Sequence, residues 1–207
     1  CSSDLSKMDE ARKLDPSKAA PRLEHIFLNL DYTVRLLTLS QEPINLTLKK
    51  IPLIKLVQQE IYQNIPKIAS KLSLRIGKKV VMKKIKFSKD LSLSHLQANI
   101  DWPLLKEAIT LIIDNHLEQL SEGGEFKIWA KQIDKNNKSF VEIFLRDKIS
   151  SSPMSFGDEM IAIGRSERGR LGLGLTVADK VINAHGGEMH IQGIQGKGCQ
   201  TRFLIPL

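Results

Sequence analysis

The sequence is poor in the residues that mark secreted, membrane-spanning and base-stacking proteins. It has two cysteines, Cys1 and Cys199, in 207 residues. That is too few for a disulfide framework and points to a reducing, cytoplasmic compartment. Its longest apolar runs are a few residues, such as Leu111-Ile112-Ile113, whereas a membrane-spanning helix needs about 20, so no membrane segment is expected in this chain. The opening CSSDLSKMDEARK is polar, unlike a signal peptide, and it lacks an initiator Met. A fragment or processed chain, the cytoplasmic part of a larger sensor, is the expectation. Aromatic residues make up 5% and leave no stacking platform for single-stranded nucleic acid.

What is present is an ordinary globular composition, 42% apolar and 26% charged, enough for one good core plus an appendage. The net charge is +8, and many of the cations lie between Lys67 and Lys89. No aromatic interleaves with Lys78, Lys79, Lys83, Lys84 and Lys86 until Phe87. This run reads as a solvated face, and no nucleic-acid partner is expected.

Asp15-Pro16-Ser17 looks like a helix start. The helix runs to about Gln41, with apolar residues at Leu23, Phe27, Leu30, Val34 and Leu37. Steps of four and three make a bundle stripe that implies a partner helix. Pro43 ends it. NLTLKKI then reads as a strand, and 53–72 as a second amphipathic helix carrying Leu53, Leu56, Val57, Ile61, Ile65 and Ile68. VVMKKIKF and SHLQANI read as strands, and 102–120 as a helix with one buried face, Leu105, Ala108, Ile109, Ile112, Ile113 and Leu117. EFKIWAKQI and SFVEIFLRD form a hairpin about the turn DKNNK. Residues 148–168 are a loop; 173–184 is a helix with Val177, Val181 and Ala184 toward the sheet. A last hairpin closes the chain. Strands come in pairs, which predicts an α+β two-layer sandwich: a mixed, mostly antiparallel sheet on helices, preceded by a bundle-forming helix.

The stretch GRLGLGLTVADKVINAHGG, 169–187, places glycines immediately before a helix. Main-chain N–H groups at Gly172 and Gly174 can approach phosphate oxygens with no Cβ in the way, and the helix start adds its positive end. His185-Gly186-Gly187 reads as an ordinary helix cap. With Asn115 late in one helix followed by SEGG, Asp147 ending a strand, and Gly172-Leu173-Gly174-Leu175 closing the loop, the order resembles the C-terminal ATP-binding domain of sensor histidine kinases. That family shares its superfamily with gyrase, mismatch-repair and heat-shock ATPases. The resemblance covers about 45–207 and is most specific in GLGLTVADKVINAHGGEMHIQG and GKGCQTRFLIPL; the helix 17–41 resembles the second helix of the dimerisation hairpin.

The resemblance implies a partial helical hairpin at 1–43 and an ATP-binding domain at 44–207 with a lid at about 148–171. It implies ATP and Mg²⁺ as ligands, Asn115 holding the metal, Asp147 accepting from the adenine amino group, and Gly172, Leu173, Gly174 and Leu175 cradling phosphates. It implies phosphoryl transfer to a histidine and on to a response regulator receiver domain, and a homodimer through the N-terminal helix. Read alone, Asn115 is a polar residue on an exposed helix side and Asp147 a turn residue. The pattern has departures. Leu111 stands where hydrolytic relatives carry a water-activating glutamate, Glu118 where a lysine is frequent, and Lys148-Ile149-Ser150-Ser151 where two glycines are usual. Arg165, Arg168 and Arg170 lie in the lid and could replace the missing cation. His25 lies on the second hairpin helix, and His95, His116, His185 and His190 fall within the ATP domain. The phosphoacceptor is therefore expected before Cys1 or on a partner, and no residue of this chain is assigned a catalytic role. The alternative is a degenerate domain that binds ATP weakly or not at all and acts as phosphotransfer scaffold, phosphatase or docking module.

Overall fold

In the computed structural model of the chain, which describes residues 16–76, 84–87, 95–119, 125–148, 173–194 and 198–207, helix α1 spans Pro16–Gln41. The chain separates into two compact units, Cys1–Arg35 and Leu36–Leu207. In the first, the stripe residues Leu23, Phe27, Leu30 and Val34 are 53% to 65% exposed. The carbonyls at the end of α1 and just past it belong to the second unit, where Lys180 holds them. Its ammonium donates to the carbonyls of Leu39, Ser40 and Glu42 at 3.1, 3.0 and 2.6 Å. A helix C-terminus leaves such carbonyls without intrahelical donors and carries partial negative charge, so a cation is favoured there.

Strand β1 (Lys49–Pro52) pairs antiparallel with β3 (Gln97–Ile100) as a small separate sheet. β1 is shorter than expected; 43–48 have no regular structure. The single helix expected at 53–72 is instead broken. A π-helical turn covers Lys55–Ile61, a 3₁₀ turn Tyr62–Asn64, and only then does α2 run over Ile65–Ile76. Pro66 supplies the reason: with no N–H it is tolerated in a first helical turn and not in an interior, so the helix starts afresh at Ile65. The six apolar residues assigned to the inner face are all buried nonetheless.

The main sheet has the order β2-β4-β5-β7-β6, with β2 at Lys84–Phe87, β4 at Glu125–Lys135, β5 at Lys138–Lys148, β6 at Glu188–Ile194 and β7 at Gly198–Pro206. Among the described residues only the β2–β4 pair is parallel. The β4–β5 strands run further than the sequence suggested and turn on two residues. Asn136 and Asn137 both take left-handed φ, 51° and 59°, as the two-residue turn that matches strand twist requires. Alternation sends Phe126, Ile128, Val141, Ile143, Leu145, Phe203 and Ile205 to the core. On the other face Trp129 stacks on Phe144 with centroids 4.8 Å apart, and Glu142 lies between Lys131 at 3.2 Å and Arg202 at 3.3 Å.

Helix α3 (Trp102–Gln119) is the centre of the helical layer. Leu111 and Asp114 are buried along with the six expected residues, so α3 is enclosed on more than one face. Helix α4 (Leu173–Ala184) packs chiefly along it, with α2 and β5 on other sides. On α4, Val177 and Val181 are buried with Leu175, Ala178 and Ile182, but Ala184 is exposed at the helix end and takes no part in packing.

His185-Gly186-Gly187 does cap α4. Gly186 has φ +75°, and the N–H groups of Gly186 and Gly187 donate to Asn183 and Ile182 carbonyls at 2.9 and 3.0 Å, the paired bonds of a Schellman end. The cap also reaches across the fold. His185 donates from Nδ1 to the Val181 carbonyl at 2.8 Å and accepts the Asp101 N–H on Nε2 at 3.0 Å, which fixes the neutral tautomer. Asp101 caps α3: its carboxylate accepts the N–H groups of Leu104 at 3.2 Å and Thr47 at 2.7 Å. At Gly187 an added Cβ would fall 2.0 Å from the Leu204 carbonyl oxygen, while at Gly186 its nearest neighbour is 3.5 Å away. Gly186→Ala should therefore cost about 1–2 kcal/mol for its left-handed φ alone. Gly187→Ala should cost about 3 kcal/mol or more, because backbone must move. Urea denaturation of both variants checks the order.

Candidate functional site

The alternation of β5 carries Asp147 into the core with Val141, Ile143 and Leu145, and its carboxylate is fully buried. A buried charge is tolerable only when hydrogen-bonded. Oδ2 meets Nδ1 of His116 at 2.6 Å, and Oδ1 accepts the main-chain N–H of Cys199 at 2.8 Å. Nε2 of His116 meets Oγ1 of Thr201 at 2.9 Å. His116 and Thr201 are fully buried too, and the imidazole packs on Phe126 with centroids 5.6 Å apart. Among the described residues no buried side-chain nitrogen or oxygen lacks a partner. One closed network thus joins helix α3, strand β5 and strand β7.

The Cys199 thiol sits beside this carboxylate. Burial, and then the negative charge of Asp147, push its pKa from the ordinary 9.0 to about 12. His116, Asp147 and Cys199 offer three ligand atoms within 4.8 Å of one another. Both ring nitrogens are already hydrogen-bonded and the thiol is held protonated, whereas a metal takes thiolate and a ring lone pair. The arrangement is that of a hydrogen-bond network.

Asn115 directly precedes His116, so the residue expected to hold a metal and the residue expected to read adenine are joined through one neighbour. Asn115 is half-buried and makes no side-chain hydrogen bond to a described residue. Leu173 opens α4, so the main-chain N–H groups of Leu173, Gly174 and Leu175 lie in its first turn, where intrahelical acceptors are lacking. Leu175 is buried, Leu173 and Gly174 partly so. Gly172, the lid at about 148–171 beyond Lys148, and with it Arg165, Arg168 and Arg170, lie outside the described residues, as do the side chains of His25, Glu118 and Lys148. Leu111 is 2% exposed and packs in the core.

Sequence reasoning missed His116, Thr201 and the role of Asp101 with His185. The signals were there. His116 follows Ile112 by four and Ile113 by three, which puts it on an inward face. Cys199 and Thr201 share the parity of Phe203 and Ile205 on β7.

No family model matches the chain. It is 28% identical over 119 residues to the sensor histidine kinase SpaK of Bacillus subtilis, covering 54% of this chain and 25% of that protein. It is 27% identical over 130 residues to the sensor histidine kinase WalK of the same species, covering 59% and 21%. The chain thus spans about a quarter of the length of these curated relatives. Among solved structures, the catalytic domain of histidine kinase ThkA superposes with TM-score 0.54 at 20% identity, covering 77% of this chain and 97% of that one. Full-length ShkA in complex with AMPPNP gives TM-score 0.64 at 18% identity, over 94% and 40%. ThkA in complex with the response regulator protein TrrA gives 0.61 at 18%, over 99% and 56%.

The fold is therefore α+β, antiparallel strands packed on helices, consistent with the histidine kinase catalytic-domain fold. In sequence the chain is similar to sensor histidine kinases, and in fold to their catalytic domains. Among the described residues no helix is long and apolar enough to cross a membrane.

The Cys199 environment gives a testable sign. A thiol whose folded pKa of about 12 exceeds its unfolded value near 9.0 contributes stability present below pH 9 and lost as pH climbs toward 12. The stability difference between wild type and Cys199→Ala should accordingly shift against wild type between pH 9 and 10.5, as read by urea denaturation. A difference independent of pH over that range contradicts the assignment.

Proposed function

We propose that this chain is the ATP-binding catalytic part, at residues 44–207, of a two-component sensor histidine kinase, with residues 1–43 contributing to a helical dimerisation hairpin. The reaction is transfer of the γ-phosphoryl group of ATP to a histidine, for relay to the receiver domain of a response regulator. The observation that carries the reading is the network that fastens Asp147 to the residue beside Asn115. A carboxylate able only to accept hydrogen bonds suits the exocyclic amine of adenine. Such transfer needs orientation and charge neutralisation more than covalent help from the protein.

Asn115 fits the Mg²⁺ role: a half-buried amide with no described side-chain partner offers one hard oxygen, and Mg²⁺ accepts one or two protein oxygens while keeping waters. When bound, the ion neutralises phosphate charge. The chain's own residues do the rest. Asp147 orients the base, and the first turn of α4, with Leu173, Gly174 and Leu175, offers main-chain N–H groups and the positive end of its dipole to the phosphates, with Gly172 beside it in sequence. Leu111 cannot accept a proton, so this chain lacks a water-activating base at that position, which favours transfer over hydrolysis. A complex of one structural neighbour with its response regulator supports a receiver domain as partner. The exposed stripe Leu23, Phe27, Leu30 and Val34 supports a homodimer through α1. The cytoplasm is the proposed location.

The second reading, a degenerate domain acting as scaffold, phosphatase or docking module, is favoured by Leu111 buried in the helical core. Titration with Mg-ATP separates the two. The kinase reading expects micromolar binding that Asp147→Asn abolishes; no binding at millimolar ATP supports the scaffold. For the stripe, Phe27→Glu with Leu30→Glu should convert a dimer into a monomer in sedimentation velocity while leaving the ATP affinity of the catalytic part unchanged.

A further inference from the structure

We infer that His116 is a positioning residue for nucleotide-base selection, acting through Asp147; the inference rests on the proposed reading of Asp147 as the base-reading carboxylate. A carboxylate carries about four lone-pair sites. In this fold one site on Oδ2 is taken by Nδ1 of His116 at 2.6 Å and one on Oδ1 by the Cys199 N–H at 2.8 Å. By lone-pair count each oxygen keeps a second site, which a base reaches only where the fully buried carboxylate is uncovered. With a partner on each oxygen, the plane of the carboxylate is fixed at both ends. The ring is fixed in turn by the Thr201 hydroxyl at 2.9 Å on Nε2 and by Phe126. All three polar side chains of the network are fully buried, so water cannot substitute for a lost donor.

The consequence is selectivity. A fixed carboxylate rewards a ligand bearing an exocyclic amine and penalises one bearing a carbonyl at the same place. Without the Nδ1 partner, Asp147 can rotate, and its lone pairs no longer meet the amine at a fixed place. His116 therefore matters for which base is bound, and only secondarily for how tightly phosphates are held.

Two substitutions separate the ring's two bonds. His116→Asn keeps an N–H donor near the Nδ1 position and gives up Thr201. His116→Gln reaches the Nε2 position and gives up the donor to Asp147. The measurement is affinity for ATP and for inosine triphosphate, which carries a carbonyl where adenine has its amine, with thermal denaturation alongside. Wild type should prefer ATP. His116→Asn should keep that preference within about threefold, and His116→Gln should lose at least about tenfold of it, the scale of a lost hydrogen bond to a charged group. A merely structural histidine would lower melting temperature and weaken both nucleotides alike, leaving the ratio unmoved; that result overturns the inference.

The unmodified protein supplies a second check if the variants do not fold. The Nδ1 proton of His116 should give a slowly exchanging, strongly deshielded imidazole signal that ATP shifts and inosine triphosphate leaves in place. A signal indifferent to ATP overturns the inference even where ATP binds. Failure of the underlying reading looks different: wild type would then bind no nucleotide, or bind ATP and inosine triphosphate equally, and both proposals fall together.

Discussion

The structure turns on a fully buried carboxylate. Asp147 sits where an uncompensated charge would cost several kcal/mol, and three elements converge to satisfy it: α3 through His116, β7 through the Cys199 N–H, and β5, which carries it. That requirement sets the register of the site. If β7 slipped by one residue, the parity that sends Cys199 and Thr201 inward would reverse, and with it Phe203 and Ile205. The same parity raises the Cys199 thiol far above its ordinary range. Core packing and the candidate binding chemistry are thus one constraint.

Helix α4 is the second organising element. Its first turn holds the main-chain groups proposed for phosphate. Lys180, midway along it, holds the carbonyls of Leu39, Ser40 and Glu42. Its end is locked by the Gly186-Gly187 turn, and His185 ties it to Asp101 and so to the start of α3. Helices α3 and α4 are therefore fixed relative to each other by polar bonds as well as by the apolar residues Val177, Val181 and Ile182.

Much of this was legible in the sequence. Apolar periodicity located α1, α3 and α4 within a residue or two, because each has a long, regular stripe. The terminal hairpin and the β4–β5 pair followed from alternation. What failed to show had physical reasons. Pro66 stands inside an apolar pattern that is periodic across it, so periodicity alone reported one helix where the chain makes three kinds of turn. The turn expected at DKNNK lies there but is confined to Asn136-Asn137, because strand pairing draws Asp134, Lys135 and Lys138 into the sheet, against their weak strand preference. Ala184 has the right spacing for the buried face but lies at the helix end, where packing stops. The His116–Asp147 contact joins residues 31 apart in sequence, and only the packing of α3 on β5 brings them together. Asn115, Asp147 and the α4 turn were identified through resemblance to a family; residue type alone would have left them as helix-surface and turn residues.

The account's central claim is that the carboxylate of Asp147, held by His116 and the Cys199 N–H, is the group that meets the base of a nucleotide. A crystal structure with a non-hydrolysable ATP analogue tests it most directly. The account predicts the adenine amine, directly or through one water, on Asp147, with both intrachain bonds retained and the phosphates at the first turn of α4. An analogue bound elsewhere, or a base that leaves Asp147 untouched behind its two partners, would contradict it.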